Sequence, residues 1–454
     1  MPEPETTRAS AAKPFIVLAV VAALSWGVVE LICWGGLWAL ERYKDLEYAP
    51  EEIRTLSDKH RGVLESYLGG EPSYMVFSPS LGWTIGPKAS NASYHANGQG
   101  LRADHDYTLA PLPGRLRIAA FGDSFTHSSD VPDNAAWEVI LERLDPRLEV
   151  LNFGVPGYGT DQAYLRYREL GVRFQPQVVL IGFMSDNISR IVNVYRPFFF
   201  YQSGLPLTKP RFVVRGGQLE LLENPIRSLQ GYRALLDHPE ETLDQIGQHD
   251  FFFQRRNQRS RFDFLPSVRF VHVLREQYTQ PIIKDGAYNP QSEAYQVAAG
   301  IFDRFYGEAA AHGAVPILVF FPDKPDIRAH REGRTKVYGT LIQYAERRGY
   351  RYIDLLDAFD RYGKDAELNE LVHIHYTRQG CRMVAQWILD YLRAHGIAPA
   401  APGAAAAPAA QPSPAAGAPS SAHAAPAAPA ASAPPPALSP FATAVPPTTA
   451  ASSP

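Results

Sequence analysis

The stretch that decides the fold is Leu116–Thr126, which reads LRIAAFGDSFT. Its first part, Leu116–Phe121, is an apolar run short enough for a buried strand. Gly122, Asp123 and Ser124 follow it. Glycine lets the backbone turn sharply, and Asp and Ser are favoured at helix N-termini. The sequence therefore predicts a strand, then a tight turn formed by Gly122 and Asp123, then a helix that begins near the hydroxyl of Ser124.

Similar apolar runs recur along the chain and alternate with stretches of helical periodicity. The other predicted strands are Leu148–Phe153, Val178–Met184, Pro316–Phe321 and Tyr350–Leu355, and the clearest helices are Asn134–Leu144, Ala294–Phe305 and Met383–Leu392. Strands that are apolar for most of their length are typical of a parallel sheet covered on both faces. The pattern predicts an α/β fold, a three-layer α/β/α sandwich around a doubly wound, five-stranded parallel sheet. Functional groups are then expected at the carboxyl ends of the strands.

The N-terminal part of the chain contains a long apolar stretch, residues 14–40, in which Glu30 is the only charged residue. About 20 apolar residues cross a bilayer as a helix. The stretch is longer than the apolar core of a signal peptide and lacks a clear cleavage site. We therefore predict an uncleaved transmembrane anchor at 14–40, while the charges on either side of it barely decide its orientation. Glu30 either marks the outer boundary of the span or pairs with a helix of a membrane partner protein.

The other end of the chain, residues 397–454, is dominated by alanine and proline and has no Asp, Glu, Lys or Arg. Such a segment cannot bury enough apolar surface to fold, so we predict a disordered tail. The formal net charge of −3 gives no indication of nucleic-acid binding. Cys33 and Cys381 do not suggest a disulfide framework, and no metal or cofactor fingerprint is present, so we expect neither a metal site nor a cofactor.

Between these ends, we predict a lead-in segment at 45–115 and one large domain at 116–396. The domain is interrupted by an insertion at 188–292 that is rich in aromatic residues and arginine. We expect the insertion to form a lid over the carboxyl edge of the sheet. The alternative is a structural cap whose arginines are solvated.

Three further blocks follow predicted strands or precede the last helix. They are Asn152–Gln162 (NFGVPGYGTDQ), Gly182–Asn187 (GFMSDN) and His375–Gly380 (HYTRQG). Gly157 in the first block can offer a backbone N–H without a side chain in the way. His375 can return over the sheet edge and act as general base to Ser124. The ordered set favours nucleophilic catalysis by Ser124 over the alternative that Ser124 is only a helix N-cap and His375 is only structural. The turn formed by Gly122 and Asp123 is therefore called the nucleophile turn.

These blocks resemble the GDSL/SGNH hydrolase family, in particular its bacterial membrane-anchored members. The resemblance covers about residues 75–395 and includes Leu81–Trp83 and Asn97–Arg102 (NGQGLR). It implies a flavodoxin-like SGNH fold, with Ser124 as nucleophile and first oxyanion donor, Gly157 as second donor and His375 as base. It also implies a single-pass protein of the bacterial inner membrane, with a cytoplasmic N-terminus at 1–13 and its catalytic domain outside the cytoplasm.

Two positions depart from the family pattern. Ser185 stands where the family has an oxyanion-hole asparagine, so either its hydroxyl or the amide of Asn187 would have to serve. The expected carboxylate two or three residues before the base is missing, because His373 and Val372 stand there. Glu370 is the candidate acid, although its spacing is not that of the family. The alternatives are a Ser–His dyad, or His373 as the base with Glu370 as its acid.

The resulting hypothesis is a serine esterase that hydrolyses or transfers O-acyl groups, above all O-acetyl groups, through an acyl-enzyme on Ser124. The resemblance implies an ester-bearing carbohydrate or small molecule as substrate. The alternative is a catalytically degenerate domain that binds a glycan or acts as a scaffold, as the two departures would suggest.

Overall fold

The computed structural model describes residues 12–44, 52–256, 259–278 and 281–400. The predictions for 1–11 and for the tail beyond 400 lie outside the described residues. The strands are β1 Met75–Ser78, β2 Gly82–Ile85, β3 Leu116–Phe121, β4 Leu148–Asn152, β5 Val178–Met184, β6 Arg211–Arg215, β7 Gln218–Leu222, β8 Ile283–Lys284, β9 Ala287–Tyr288, β10 Val315–Phe321 and β11 Tyr352–Asp354. The helices are α1 Ala12–Lys44, α2 Asp58–Gly69, α3 Ser124–His127, α4 Trp137–Leu144, α5 Thr160–Glu169, α6 Asn187–Arg190, α7 Tyr232–Asp237, α8 Pro239–Gly247, α9 Phe251–Arg256, α10 Pro266–Tyr278, α11 Glu293–Ala311, α12 Lys324–Arg331, α13 Gly339–Arg348, α14 Leu356–Tyr362, α15 Leu368–Leu371 and α16 Arg378–Ala394.

The central sheet has five strands in the order β11-β10-β5-β3-β4. All neighbouring pairs are parallel, with Ala119 of β3 opposite both Leu151 of β4 and Val179 of β5. Numbered by their order in the chain, the sheet strands run 2-1-3-4-5, which is the flavodoxin-like doubly wound arrangement. The predicted fold class is therefore confirmed, and every predicted sheet strand is present to within two residues at either end.

Helices cover both faces of this sheet. On one face α4 packs against β4 and α16, and α14 packs against α16. On the other face α11 packs against α5, α13 and β10. The strands can be apolar throughout because neither face meets water: in β5, for example, every residue from Val178 to Met184 is buried. Burial of both faces leaves the strand ends as the place where polar side chains can gather.

The remaining elements lie in the lead-in segment and the insertion. The lead-in contains α2 and the antiparallel hairpin β1–β2, and the insertion between β5 and α11 contains α6 to α10 and the hairpins β6–β7 and β8–β9. Part of α1, Pro14–Arg42, is long and apolar enough to cross a membrane. In the described part of the chain it is the only such helix.

Candidate active site at the carboxyl edge of the sheet

The nucleophile turn follows β3 as predicted from the sequence. The carboxylate of Asp123 caps α3, since its Oδ1 accepts a hydrogen bond of 2.8 Å from the backbone N–H of Phe125. Ser124 is the first residue of α3 and is 7% exposed. The serine therefore lies at a helix N-terminus, where the backbone dipoles favour negative charge.

Asp123 is held in place from the third block. Its Oδ2 accepts hydrogen bonds from the amide of Asn187, at 2.8 Å, and from the guanidinium of Arg190, at 3.1 Å. The amide oxygen of Asn187 in turn accepts a hydrogen bond from Thr160. The amide of Asn187 thus fixes the residue before the nucleophile with one of its two N–H groups, and its role as the substitute oxyanion donor stays a prediction.

The second block lies against the same turn. The backbone N–H of Val155 donates to the carbonyl of Gly122 at 3.1 Å, and Arg190 also donates to the carbonyl of Tyr158 at 3.1 Å. Gly157 has φ of +82°, a conformation that side chains disfavour. Among the described residues, the backbone N–H groups of Ser124 and Gly157 donate to no acceptor. Two predicted oxyanion donors therefore have N–H groups free to bind a substrate oxygen.

Ser185 is not arranged as an oxyanion donor. Its hydroxyl donates to Oδ2 of Asp326, which follows the neighbouring strand β10. Its backbone carbonyl accepts a hydrogen bond of 2.7 Å from the hydroxyl of Tyr288. A serine hydroxyl has a single proton to donate. The prediction that Ser185 replaces the family asparagine is therefore corrected, because β5 lies between β3 and β10 and the hydroxyl is directed to the β10 side.

The imidazole of His375 has a carboxylate partner that the sequence did not suggest. Its Nδ1 lies 2.7 Å from Oδ1 of Asp130, and its backbone N–H donates to Oδ2 of the same carboxylate at 2.8 Å. Burial on its own would raise the pKa of Asp130, but the two hydrogen bonds from His375 outweigh it and the pKa is lowered. The ring also packs edge-on against Phe125, with centroids 5.0 Å apart. The imidazole thus lies beside the residue that follows Ser124.

The alternative acid and base are placed elsewhere. The side chain of Glu370 is exposed and forms no hydrogen bond or ion pair with the residues the structure describes; its backbone carbonyl accepts from Thr377. The side chain of His373 is also exposed, and its backbone N–H donates to the carbonyl of His375. Both roles are corrected, because the chain turns after α15 and directs His375, not His373, toward the loop that carries Asp130.

Arg102 holds the loop that presents Asp130. Its guanidinium is 2% exposed and donates to the carbonyls of His127, Ser128 and Val131 at 2.6–2.7 Å. It also forms an ion pair of 2.9 Å with Asp133. One buried side chain from the lead-in segment therefore fixes both ends of the turn around Asp130. This gives a physical reason for the Asn97–Arg102 motif ahead of the sheet.

A cavity of about 730 Å³ opens next to this site on the β5 and β10 side. Its lining includes Ser185, Asp323, Asp326, Tyr288 and Lys336. The volume lies within the range of small-ligand sites, about 300–1,000 Å³. Burial, followed by the charge of Asp326, raises the pKa of Asp323 to about 7. Burial also raises the pKa of Asp326. The cavity lies at the ends of β5 and β10, and aliphatic side chains such as Ile188, Val337 and Leu356 stand among its polar groups.

Comparison with known proteins finds similarity to several solved structures. A lipolytic protein of the G-D-S-L family from Desulfitobacterium hafniense DCB-2 is 14% identical, with a TM-score of 0.29 over 60% of this chain and 98% of that one. A G-D-S-L family member from Veillonella parvula DSM 2008 is 14% identical, with a TM-score of 0.30 over 60% and 96%. A variant of an acetyl-xylooligosaccharide esterase from Geobacillus is 13% identical, with a TM-score of 0.31 over 60% and 92%.

By sequence, no family model and no curated protein matches this chain. The strand order of the chain's own sheet confirms the predicted flavodoxin-like α/β/α fold. Sequence reasoning missed Asp130, which stands at no position that the motifs single out; it noted Arg102 only as part of the Asn97–Arg102 motif and gave it no role.

Proposed function

We propose that the protein is a serine esterase in which Ser124 is the nucleophile, His375 the general base and Asp130 the acid that orients the base. The observation that carries this proposal is the double hydrogen bond between Asp130 and His375, formed beside the nucleophile turn. A carboxylate on Nδ1 keeps the proton on that nitrogen. Nε2 is then the basic nitrogen, as a serine hydrolase requires.

The reaction begins with transfer of the hydroxyl proton of Ser124 to Nε2 of His375 while Oγ attacks the ester carbonyl. The tetrahedral intermediate collapses when the bond to the alcohol oxygen breaks and the alcohol takes the proton from His375. Water, activated by the same imidazole, then attacks the acyl-enzyme and releases the acid. If a sugar hydroxyl takes the place of water, the same steps transfer the acyl group.

The oxyanion of the intermediate is stabilised by the N–H groups of Ser124 and Gly157. Such donors contribute most when they are fixed before the reaction, and each is worth about 2.7–4 kcal/mol. Here the hydrogen bonds of Arg190 to Asp123 and to the Tyr158 carbonyl fix the two loops relative to each other. Preorganisation of these loops offsets the missing side-chain donor at Ser185.

The substrate that this site supports best is an O-acyl ester, above all an O-acetyl ester, on a carbohydrate. The cavity at the ends of β5 and β10 is lined by hydroxyl, carboxyl and basic groups, and tyrosines and several aliphatic side chains stand among them. Such a lining suits a neutral molecule with many hydroxyls more than a long acyl chain. With α1 as an inner-membrane anchor, we place the domain outside the cytoplasm, where envelope or extracellular carbohydrate is available.

Labelling with a fluorophosphonate tests the proposal, since the reagent reacts with activated serines. We expect labelling of the wild-type protein and none of Ser124→Ala, with the adduct located on Ser124 by mass spectrometry. Ser185→Ala is the matched control on the same rim and should still be labelled. A folded wild-type protein that remains unlabelled and does not hydrolyse aryl acetates would contradict an esterase and support the glycan-binding alternative.

A further inference from the structure

Helix α10 of the insertion is attached to α1 by a specific polar contact. The carboxylate of Glu30 accepts hydrogen bonds from the backbone N–H of Ser267, at 2.8 Å, and from its hydroxyl, at 2.7 Å. Ser267 is the second residue of α10, so the carboxylate caps the N-terminus of that helix. The sequence left open whether Glu30 pairs with a partner protein, and the structure gives it a partner within the chain.

The two helices also pack closely beyond this contact. A Cβ atom at Gly36 would lie 2.7 Å from the ring of Phe270, so a larger residue there would displace the ring. Glu30 and Gly36 are about 9 Å apart along a helix that rises about 1.5 Å per residue. The contact therefore lies within the C-terminal half of α1.

The position of this contact along α1 places α10 near a membrane surface. About 20 helical residues cross the hydrocarbon core. The apolar segment Pro14–Arg42 is longer than this. We place the part that crosses the hydrocarbon at its N-terminal end, from Pro14 to about Cys33, because Glu30 is then close to the membrane surface. Glu30 then lies just inside the end of the span and Gly36 just outside it. The N-terminus of α10 is thereby held at the level where hydrocarbon meets headgroups.

The segment 261–278, which comprises α10 and the turn before it, presents apolar side chains at this level. Phe262, Phe264 and Val271 are 58%, 75% and 62% exposed. Basic side chains accompany them, since Arg261, Arg269 and Arg275 are also exposed. Exposed aromatic and aliphatic groups with neighbouring arginines are the composition of elements that lie in the interface of an anionic bilayer.

We propose that segment 261–278 is immersed in the outer interface of the membrane that α1 crosses, with Phe264 and Val271 in contact with lipid. This inference rests on the membrane anchor of the proposed function but not on its chemistry. The occupant of the surface is the lipid bilayer, because the surface is continuous with the lipid-facing sides of α1. The insertion would then fix the orientation of the catalytic domain relative to the membrane.

Photo-crosslinking in a lipid bilayer tests this inference on the full-length protein. A benzophenone amino acid replaces Phe264, Val271 or, as an internal reference, Leu24 in the exposed middle of α1. Leu109, which is 49% exposed in the lead-in segment, is the matched control. The variants are reconstituted in nanodiscs of phosphatidylcholine and phosphatidylglycerol that carry a clickable lipid, and irradiated.

We expect lipid adducts at positions 264, 271 and 24 in yields well above that at position 109. Adducts at position 24 alone would overturn the inference and leave the anchor intact. Absence of adducts at position 24 as well would overturn the anchor too. Crosslinks from position 264 to a protein chain, or equal lipid adducts at all four positions, would also contradict a lipid-specific surface, while fluorophosphonate labelling of the same samples reports separately on the esterase.

Discussion

The carboxyl edge of the sheet has two halves, and the carboxylates in these halves have different hydrogen-bonding partners. In the half formed by the ends of β3 and β4, Asp123 accepts from Asn187 and Arg190, and Asp130 accepts from His375. In the half formed by the ends of β5 and β10, Asp323 and Asp326 exchange hydrogen bonds with each other's backbone N–H. The first half compensates its charges with cationic or imidazole donors. In the second half, Asp326 also accepts from the Ser185 hydroxyl, but neither carboxylate has an ion-pair partner among the described residues.

The two halves differ in the protonation state that their carboxyl groups favour. An ionised Asp130 is needed to orient an imidazole, and its hydrogen bonds from His375 hold its pKa low. Burial raises the pKa of both cavity carboxyls, so that near neutral pH Asp323 is partly protonated. A protonated carboxyl both donates and accepts hydrogen bonds, as a sugar hydroxyl does. This difference supports the proposal that the half at β3 and β4 carries out the chemistry and that the half at β5 and β10 binds a neutral polar substrate.

The largest expected effect is that of Asp130→Asn on turnover. The amide cannot accept the Nδ1 proton in the way that a carboxylate does, so the tautomer of His375 with a basic Nε2 is lost. In a serine protease the equivalent change lowers kcat by about 10⁴-fold. We expect a loss of about 10³-fold or more in kcat for an aryl acetate, with KM little changed, and a much smaller loss for Asp326→Asn in the other half.

Glu370→Gln is the control that separates the two candidate acids. Because the Glu370 side chain is exposed and away from His375, its activity should equal that of the wild type. A large loss in Glu370→Gln with full activity in Asp130→Asn would reverse the assignment. Circular dichroism of each variant checks that the folds are comparable.

The next effect in size concerns the stability of the loop that carries Asp130. Arg102→Leu leaves the carbonyls of His127 and Val131 without a donor and Asp133 without its buried cation, whereas the Ser128 carbonyl keeps the backbone N–H of Val131. Leaving buried acceptors unsatisfied costs about 1–3 kcal/mol each, partly relieved by water. We expect the free energy of unfolding to fall by about 3 kcal/mol in urea denaturation. Arg143→Leu, which removes an exposed side chain, should change it by less than about 0.5 kcal/mol, and equal losses would refute the anchoring role.

The fold could be predicted from the sequence because the signal is local. The sheet strands are buried on both faces, so each is an apolar run bounded by turn residues, and β5 matches its prediction to the residue. Edge strand β11 is shorter than predicted, Tyr352–Asp354, because only one neighbour, β10, pairs with it. The small hairpins of the insertion were not predicted, since their strands are short and partly exposed.

The site was predictable only where a residue type at a fixed spacing carries the chemistry. Ser124, Gly157 and His375 follow from motifs at strand ends, and the structure brings their loops to one edge. Asp130 could not be found in this way, because its partner is 245 residues away and the contact depends on tertiary structure. The usable signal was the position of Asp130, a carboxylate just after α3. The loop that carries it is held by the buried Arg102, which stands earlier in the chain.

A smaller effect is expected at Ser185, the boundary between the two halves. With its hydroxyl bound to Asp326, Ser185→Ala should lower kcat by less than about tenfold, whereas loss of a true oxyanion donor costs about 10²–10³-fold. Stopped-flow measurement of the acylation burst distinguishes the two. A loss of 10² or more would show that Ser185 turns toward the oxyanion during the reaction, and the division between the halves would fail.

The smallest expected effect is on the pH dependence of stability, and it arises in the cavity half. The pKa of Asp323 is raised from 3.8 to about 7 in the folded protein. The folded state therefore binds this proton more tightly than the unfolded state, and the stabilisation is present at low pH and lost as pH rises toward 7. Asp323→Asn should remove that part of the decline in Tm, whereas Asp365→Asn, at an exposed position, should leave it unchanged. If Tm of Asp323→Asn still falls in the same way as pH rises, a group other than Asp323 binds the proton. The comparison between the two halves would then not hold for Asp323.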